Sequence, residues 1–314
     1  MAAFYGCHEE KKEEENKLNG RRIAGTACIV AAVVMLAVVI KQAAPHLEDY
    51  YRSWKNYKNL QDTFTKPPES ESGNEAEQEN AAGSADGTEA RTESETDGRK
   101  KDDRIKKLSE GERLAKKYPC IKVDSAGLKK RNPDYAGWIY VPGTDISYPV
   151  VIGKEGDPYL HKAFDGSYSY SGTIFFDKRN GRAGEDYHSI LYGHNMRNGS
   201  MFAQIKSYAD KKFAKKHPVF WYVSDGKAAL YEVFSAYTAN PQDFDVTYSV
   251  DGEQFFDSSD FDKIVEKIAE KSVTDFDVKV HGTDRVMSLS TCTNEHVTRF
   301  TVHGKLILEK SQKE

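Results

Sequence analysis

Cys292 and Arg299 are the residues in this 314-residue chain whose types and spacing first suggest chemistry. Cys292 closes an apolar stretch, 286–291, that reads as a strand, and the chain then turns through 293–298 into a second such stretch, 300–308. If the two strands form a hairpin, the thiol and the guanidinium end up at the same end of a sheet. A cation beside a thiol favours the thiolate. The same cation can stabilise an oxyanion formed when sulfur attacks a carbonyl. A lone cysteine at a strand end is by itself more often an inert small hydrophobe, so the pair needs an acid/base partner to carry meaning.

Nine histidines compete for that role. His8 and His46 lie outside the folded region, and His161, His217 and His281 sit in polar, loop-like surroundings that predict solvation. His296 is in the turn beside Cys292, and His303 alternates with Arg299 and Thr301 on one strand face. His194 directly follows the apolar run 189–192 as Tyr192-Gly193-His194-Asn195, where a glycine lets the backbone turn and present an imidazole at a rim. On residue chemistry alone His194, His296 and His303 all stay open. Cys292, His296 and His303 match no standard metal-ligand spacing, and nothing in the chain points to a metal or an organic cofactor.

The elements that must position these groups are short. Strand-like runs occur at 137–141, 147–152, 172–176, 189–192, 219–223, 229–239, 286–291 and 300–308, with Gly, Asp, Asn and Pro between them. Eight such runs predict a mainly β fold, a mostly antiparallel barrel or a sandwich, with the barrel preferred. Ile105, Leu108, Leu114, Ala115 and Tyr118 mark a helix broken by Pro119, and 123–131 marks another, stopped by Asn132-Pro133. Phe261, Ile264, Val265, Ile268 and Ala269 follow helical spacing, with Ser259 and Asp262 placed to cap. This helix falls before the last two strands.

Composition divides the chain further. With 38% hydrophobic residues, 18 Tyr and 15 Phe, a wholly disordered chain is excluded. Residues 1–60 carry nine basic and seven acidic residues, 61–104 six and thirteen, and 105–314 thirty and twenty-nine. No part is basic enough for a nucleic-acid binder. Four cysteines, at 7, 28, 120 and 292, are too scattered for a disulfide scaffold, and Cys120 reads as structural.

Residues 23–40 carry no charge, and as a helix they span roughly 27 Å, about the hydrocarbon thickness of a membrane. Ala43-Ala44-Pro45 makes a poor signal-peptide cleavage site, so the run reads as an uncleaved anchor. Arg21 and Arg22 abut it, with Lys11, Lys12 and Lys17 behind, against the sparser Lys41, Arg52, Lys55 and Lys58 beyond. The balance predicts residues 1–22 in the cytoplasm and the C-terminal part outside. Residues 41–104 then form a juxtamembrane segment and an acidic stalk. Within 61–104 there is no Leu, Ile, Val, Met or Tyr, which predicts a disordered spacer. The folded domain is expected over 105–314.

At the reactive residues the sequence resembles the sortases, and among them class B. Leu289-Ser290-Thr291-Cys292 matches the LxTC signature of that family, followed by Arg299 at the start of the next strand. Tyr192-Gly193-His194-Asn195-Met196 with Gly199-Ser200-Met201-Phe202 is similar to the class B histidine segment. Asn132-Pro133-Asp134, Gly137-Trp138-Ile139, Gly143-Thr144 and Tyr148-Pro149-Val150 resemble the first strands of that class. So does a helix at 259–271 between the sixth and seventh strands. The likeness covers about 105–310.

The resemblance implies an eight-stranded barrel and an outward-facing, membrane-anchored cysteine transpeptidase of Gram-positive type. It implies Cys292 as nucleophile, His194 as general acid/base, and Arg299 as clamp for oxyanion and substrate. Leu160, Thr247, Tyr248, Ser290 and Thr291 fall where the family lines its peptide groove. The implied partners are surface proteins with a C-terminal sorting signal and an amine of the lipid-linked peptidoglycan precursor. Related readings are a pilin-polymerising or pilus-anchoring enzyme with a Lys acceptor, and an inert tethered binding module. No acid is clearly placed to orient His194, Asn294 being a weak candidate.

Overall fold

The structure, a computed structural model, describes residues 2–68, 108–153, 158–181, 184–251, 253, 255–293 and 297–312. Two units divide the chain, Met1–Trp54 and Lys55–Glu314. Helix α1 (Ala2–Phe64), which begins in the first unit and ends in the second, contains the one stretch among the described residues that is long and apolar enough to cross a membrane. Ile29, Val33, Met35, Leu36, Val39 and Ile40 all turn outward there, each more than half exposed.

In the second unit, eight strands close a barrel. They are β1 (Tyr135–Tyr140), β2 (Ser147–Val151), β3 (Ile174–Phe176), β4 (His188–Tyr192), β5 (Val219–Ser224), β6 (Lys227–Ala239), β7 (Val286–Cys292) and β8 (Arg299–Ser311). Their order around the barrel is β8-β6-β5-β1-β2-β3-β4-β7, which excludes the sandwich. Most neighbours are antiparallel, but β2/β3 and β4/β7 are parallel. Parallel partners need long connections, and both pairs have them. Trp138, Ile190, Trp221, Leu230, Leu289 and Val302 are fully buried.

Short helices decorate the barrel. In α2 (Glu110–Lys117) the Ser109 side chain accepts from the Glu112 N–H at 3.2 Å while the Glu112 carboxylate accepts from the Ser109 N–H at 2.8 Å, satisfying both orphan donors. α3 (Ser125–Arg131) starts at Asp124, which accepts from Gly127 N at 2.8 Å, and stops at Asn132, before Pro133. α4 (Lys211–Lys216) and α5 (Phe244–Thr247) are each shorter than two turns. α6 (Ser258–Glu270) lies between β6 and β7, and its buried Phe261, Val265 and Ile268 pack with Phe234, Tyr237, Phe255 and Val286. The cap differs from expectation. Asp257 accepts from Ser259 N and Asp260 N at 2.8 and 3.0 Å, while Asp262 accepts from Gly282 N, on the segment leading into β7, at 2.7 Å.

The folded unit also reaches back to Lys55, well ahead of residue 105 where the composition turns globular. Tyr57 and Leu60, three apart on one face of α1, are 6% and 5% exposed, and Gln61 donates to Ser147 O at 2.6 Å. Beyond α1, Thr65 and Lys66 pair antiparallel with Val123 and Lys122. So few apolar anchors, set among charges, hardly alter the average composition. Pro68 and Leu108, the described residues on either side of the acidic stretch, both fall in this unit. Residues 69–104, where disorder is expected, lie outside the described residues.

Candidate active site

Because β4 and β7 run in parallel, their C-terminal ends reach the same rim. The paired register ends with Tyr192 opposite Ser290, and His194 and Cys292 each follow two residues further along their own segment. Adjacent strands are about 4.8 Å apart. Two bonds hold this end together: Gly193 N donates to Ser290 O at 3.1 Å, and Thr291 Oγ1 donates to Gly193 O at 2.7 Å. Gly193 is required for space rather than for a turn. Its φ is not positive, yet a Cβ there would meet Ile174 Cδ1 at 2.4 Å and the Phe202 ring at 2.7 Å.

On the other side of β7, Arg299 is the direct register partner of Cys292, and its Nη1 donates to Cys292 Sγ at 3.0 Å. The turn between them is closed by Thr293 N donating to Thr298 O at 3.0 Å, with the two hydroxyls 2.7 Å apart. Asn294 and His296 lie outside the described residues.

His194 is oriented by the backbone. Its Nε2 lies 2.7 Å from Leu160 O, in the 3-10 turn Pro158–His161. A carbonyl oxygen only accepts, so in the neutral ring the proton is on Nε2 and the lone pair on Nδ1. Sequence reading looked for a side-chain acid in this role, and a main-chain carbonyl leaves no such signature. The imidazole is bordered by His161 and Tyr170, with ring centroids 5.4 and 6.2 Å away. His161 is exposed, as expected, whereas His217 is buried and its Nδ1 lies 2.8 Å from Pro142 O.

His303 does share a strand face with Arg299, but it lies deep in the barrel and is fully buried. Its Nδ1 lies 2.6 Å from Ser288 Oγ, which is 2.7 Å from Nε2 of His188, and His188 Nδ1 is 2.8 Å from Ser249 O. Burial lowers the proton affinity of both rings, that of His188 to about 4. This interior chain, running under the rim, is inaccessible to a substrate. His188 opens β4 at its far end, and its role was not read from the sequence.

The cation has its own support. The Arg299 guanidinium carbon lies 5.9 Å from the centroid of the Tyr192 ring. Tyr192 donates its hydroxyl to Asp177 Oδ2 at 2.8 Å, and Arg179 bonds both oxygens of that carboxylate at 2.9 Å. Burial by itself would raise the Asp177 carboxyl, but the hydrogen bonds from Arg179 and Tyr192 outweigh it and hold the group below the usual carboxylate range. Arg179 Nη2 also donates to Tyr248 O at 3.0 Å.

The five expected groove residues separate into two groups. Leu160 is exposed beside His194. Thr247 and Ser290 are fully buried, their hydroxyls 2.8 Å from Tyr237 Oη and 2.9 Å from Tyr248 Oη respectively. Tyr248 and Thr291 are 7% and 1% exposed. A thiol with a guanidinium donor on its sulfur, and an imidazole held by a carbonyl just beyond the end of the neighbouring strand, are the parts needed for acyl transfer through a thioester.

Comparison with known proteins follows the same lines. Residues 139–307 match the family described as Sortase domain. Sortase B of Listeria monocytogenes is 38% identical over 190 residues, 60% of this chain and 75% of that protein. Sortase B of Staphylococcus aureus is 32% identical over 199 residues, 62% of this chain and 79% of its own. The X-ray structure of Clostridium perfringens sortase B superposes with a TM-score of 0.54 at 36% identity, over 58% of this chain and 99% of that one.

Proposed function

The chain belongs to the sortase family, as a cysteine transpeptidase of class B type, and on that premise we propose that it joins surface proteins to an amine at the outer face of a membrane. In this reading Cys292 sulfur attacks the carbonyl carbon of a threonine in the substrate's C-terminal sorting signal. The C–S bond forms, and Arg299 stabilises the oxyanion. The C–N bond then breaks as protonated His194 gives its proton to the departing amine. A second amine attacks the thioester, His194 takes the proton from it, and the thiolate leaves. One amide is exchanged for another, with no net redox change.

The observation that carries the reading is the Arg299 Nη1 contact with Cys292 Sγ at 3.0 Å, one strand away from an imidazole held by Leu160 O. The exposed Leu160 is the direct substrate contact among the five groove residues, while Thr247, Tyr248, Ser290 and Thr291 form the wall behind it. The outward apolar face of α1, with Arg21 and Arg22 before it, supports an anchor with residues 1–22 in the cytoplasm and the barrel outside.

The test is a peptide library offered with two acceptors, a wall-precursor peptide amine and a lysine side chain, with products identified by mass spectrometry. The proposal expects cleavage after threonine and transfer to the precursor amine. Transfer to lysine alone would make this a pilin-joining enzyme. No cleavage of any peptide would reject the reading.

A further inference from the structure

We propose that Tyr57, on the last turns of α1, is a positioning residue that holds His194 in its working orientation through two separate sets of contacts. The proposal rests on the catalytic reading of His194 and extends it to a residue outside the region matched to the family.

One route runs through the turn that orients the imidazole. Tyr57 donates its hydroxyl to Gly172 O, and Tyr57 Oη lies 3.1 Å from Thr173 Oγ1. Gly172 is in the left-handed region at φ +58°, and a Cβ there would meet Leu160 O at 2.4 Å and Tyr159 O at 2.5 Å. No other residue type allows so close an approach. Thr173 N donates to Tyr159 O at 3.0 Å, and Thr173 Oγ1 donates to Lys162 O at 2.8 Å. Thr173 thus grips the turn at 158–162 from both sides of Leu160, by its backbone N–H on one side and its hydroxyl on the other. Leu160 O is the acceptor for His194 Nε2.

The second route runs through the loop that follows His194. The Tyr57 ring meets Tyr148 edge-on at 5.5 Å and 90°. Tyr148 Oη accepts from Met201 N at 3.0 Å. Met201 has φ +56°, a conformation that a non-glycine side chain holds only when its surroundings enforce it. Asn195 bridges to Met201, and Phe202 N donates to His194 O at 3.0 Å. Tyr57 therefore touches the supports of the imidazole ring and of its own backbone. Leu60 and Gln61 seat the same helical turn but reach neither route's hydroxyl contact.

The experiment uses the full chain in detergent micelles, with a quenched fluorescent sorting peptide and 15N-labelled histidine. Tyr57→Phe keeps the ring against Tyr148 and removes the hydroxyl. It is expected to lower kcat roughly ten- to hundredfold with KM unchanged, and to move the ring-nitrogen signals of His194. Leu60→Ala is the control. It loosens the same turn, so it should lower Tm while leaving kcat of the folded enzyme and the His194 signals in place. Tyr57→Ala should lose more than Tyr57→Phe. If it fails to fold, Tyr57→Phe still decides. Wild-type kcat and unmoved ring signals in Tyr57→Phe, where His194→Ala is inactive, would overturn the proposal. An active His194→Ala would instead reject the catalytic reading, and the nitrogen signals would then test the mechanical link alone.

Discussion

Acid should destabilise the barrel through its buried histidine chain, and the size of the effect follows from one ring. His188 Nδ1 faces Ser249 O, so it must donate there. Its Nε2 therefore accepts from Ser288, whose oxygen accepts in turn from His303 Nδ1. In this neutral arrangement His188 is satisfied at both ring nitrogens with a single proton. Adding a proton to His188 gives Nε2 a hydrogen too, and Ser288 Oγ then faces a donor on either side. Burial is the main cause of the depressed affinity, from the ordinary 6.5 to about 4. The folded state thus binds the proton less readily than the unfolded chain. Stability from this ring is complete above the unfolded value and is lost as pH falls from there toward 4. The full difference is about 3 kcal/mol, of which about 2 kcal/mol has gone by about pH 5. His303, lowered by burial and then by the neighbouring His188, acts in the same direction. The assay is urea unfolding of wild type and His188→Gln at about pH 7.5 and about pH 5. The wild type should lose about 2 kcal/mol more than the variant between them. Parallel curves would refute the reasoning.

Gly193→Ala should destabilise the folded unit by about 1–3 kcal/mol in the same unfolding assay, because its Cβ has no room between Ile174 and Phe202. Asp177→Asn keeps the shape but removes the charge that fixes Arg179 and accepts from Tyr192. It should lower kcat/KM about tenfold through a looser Arg299 platform, with steady-state kinetics as the check.

Much of this architecture is legible in the chain because each strand is bounded by breakers, and all eight runs became strands. Cys292 and His194 were singled out by the resemblance of their segments to the sortases, since residue chemistry alone left His194, His296 and His303 open. What stayed hidden has identifiable physical causes. Leu160 orients His194 through its carbonyl, a group every residue carries. The parallel pairing of β4 with β7 depends on a connection across more than ninety residues, which no local pattern records. His188 occupies a strand start where a polar residue usually faces water, yet it is sealed by Ser249, Ser288 and Phe261. His217 looks solvated among lysines but is tucked against Pro142. Tyr57 and Leu60 were lost in the charged composition around them, although their spacing of three residues is that of a buried helical stripe.

The central claim is that Cys292 and His194, at one rim, form and resolve a thioester. The most direct measurement is the intact mass of the full chain after mixing with a sorting peptide in the absence of amine. Wild type should gain the mass of the acyl fragment, located on Cys292. Cys292→Ala should gain none, and His194→Ala should gain it at least about a hundredfold more slowly. An adduct on a different residue, or one forming at the wild-type rate in His194→Ala, would contradict the account.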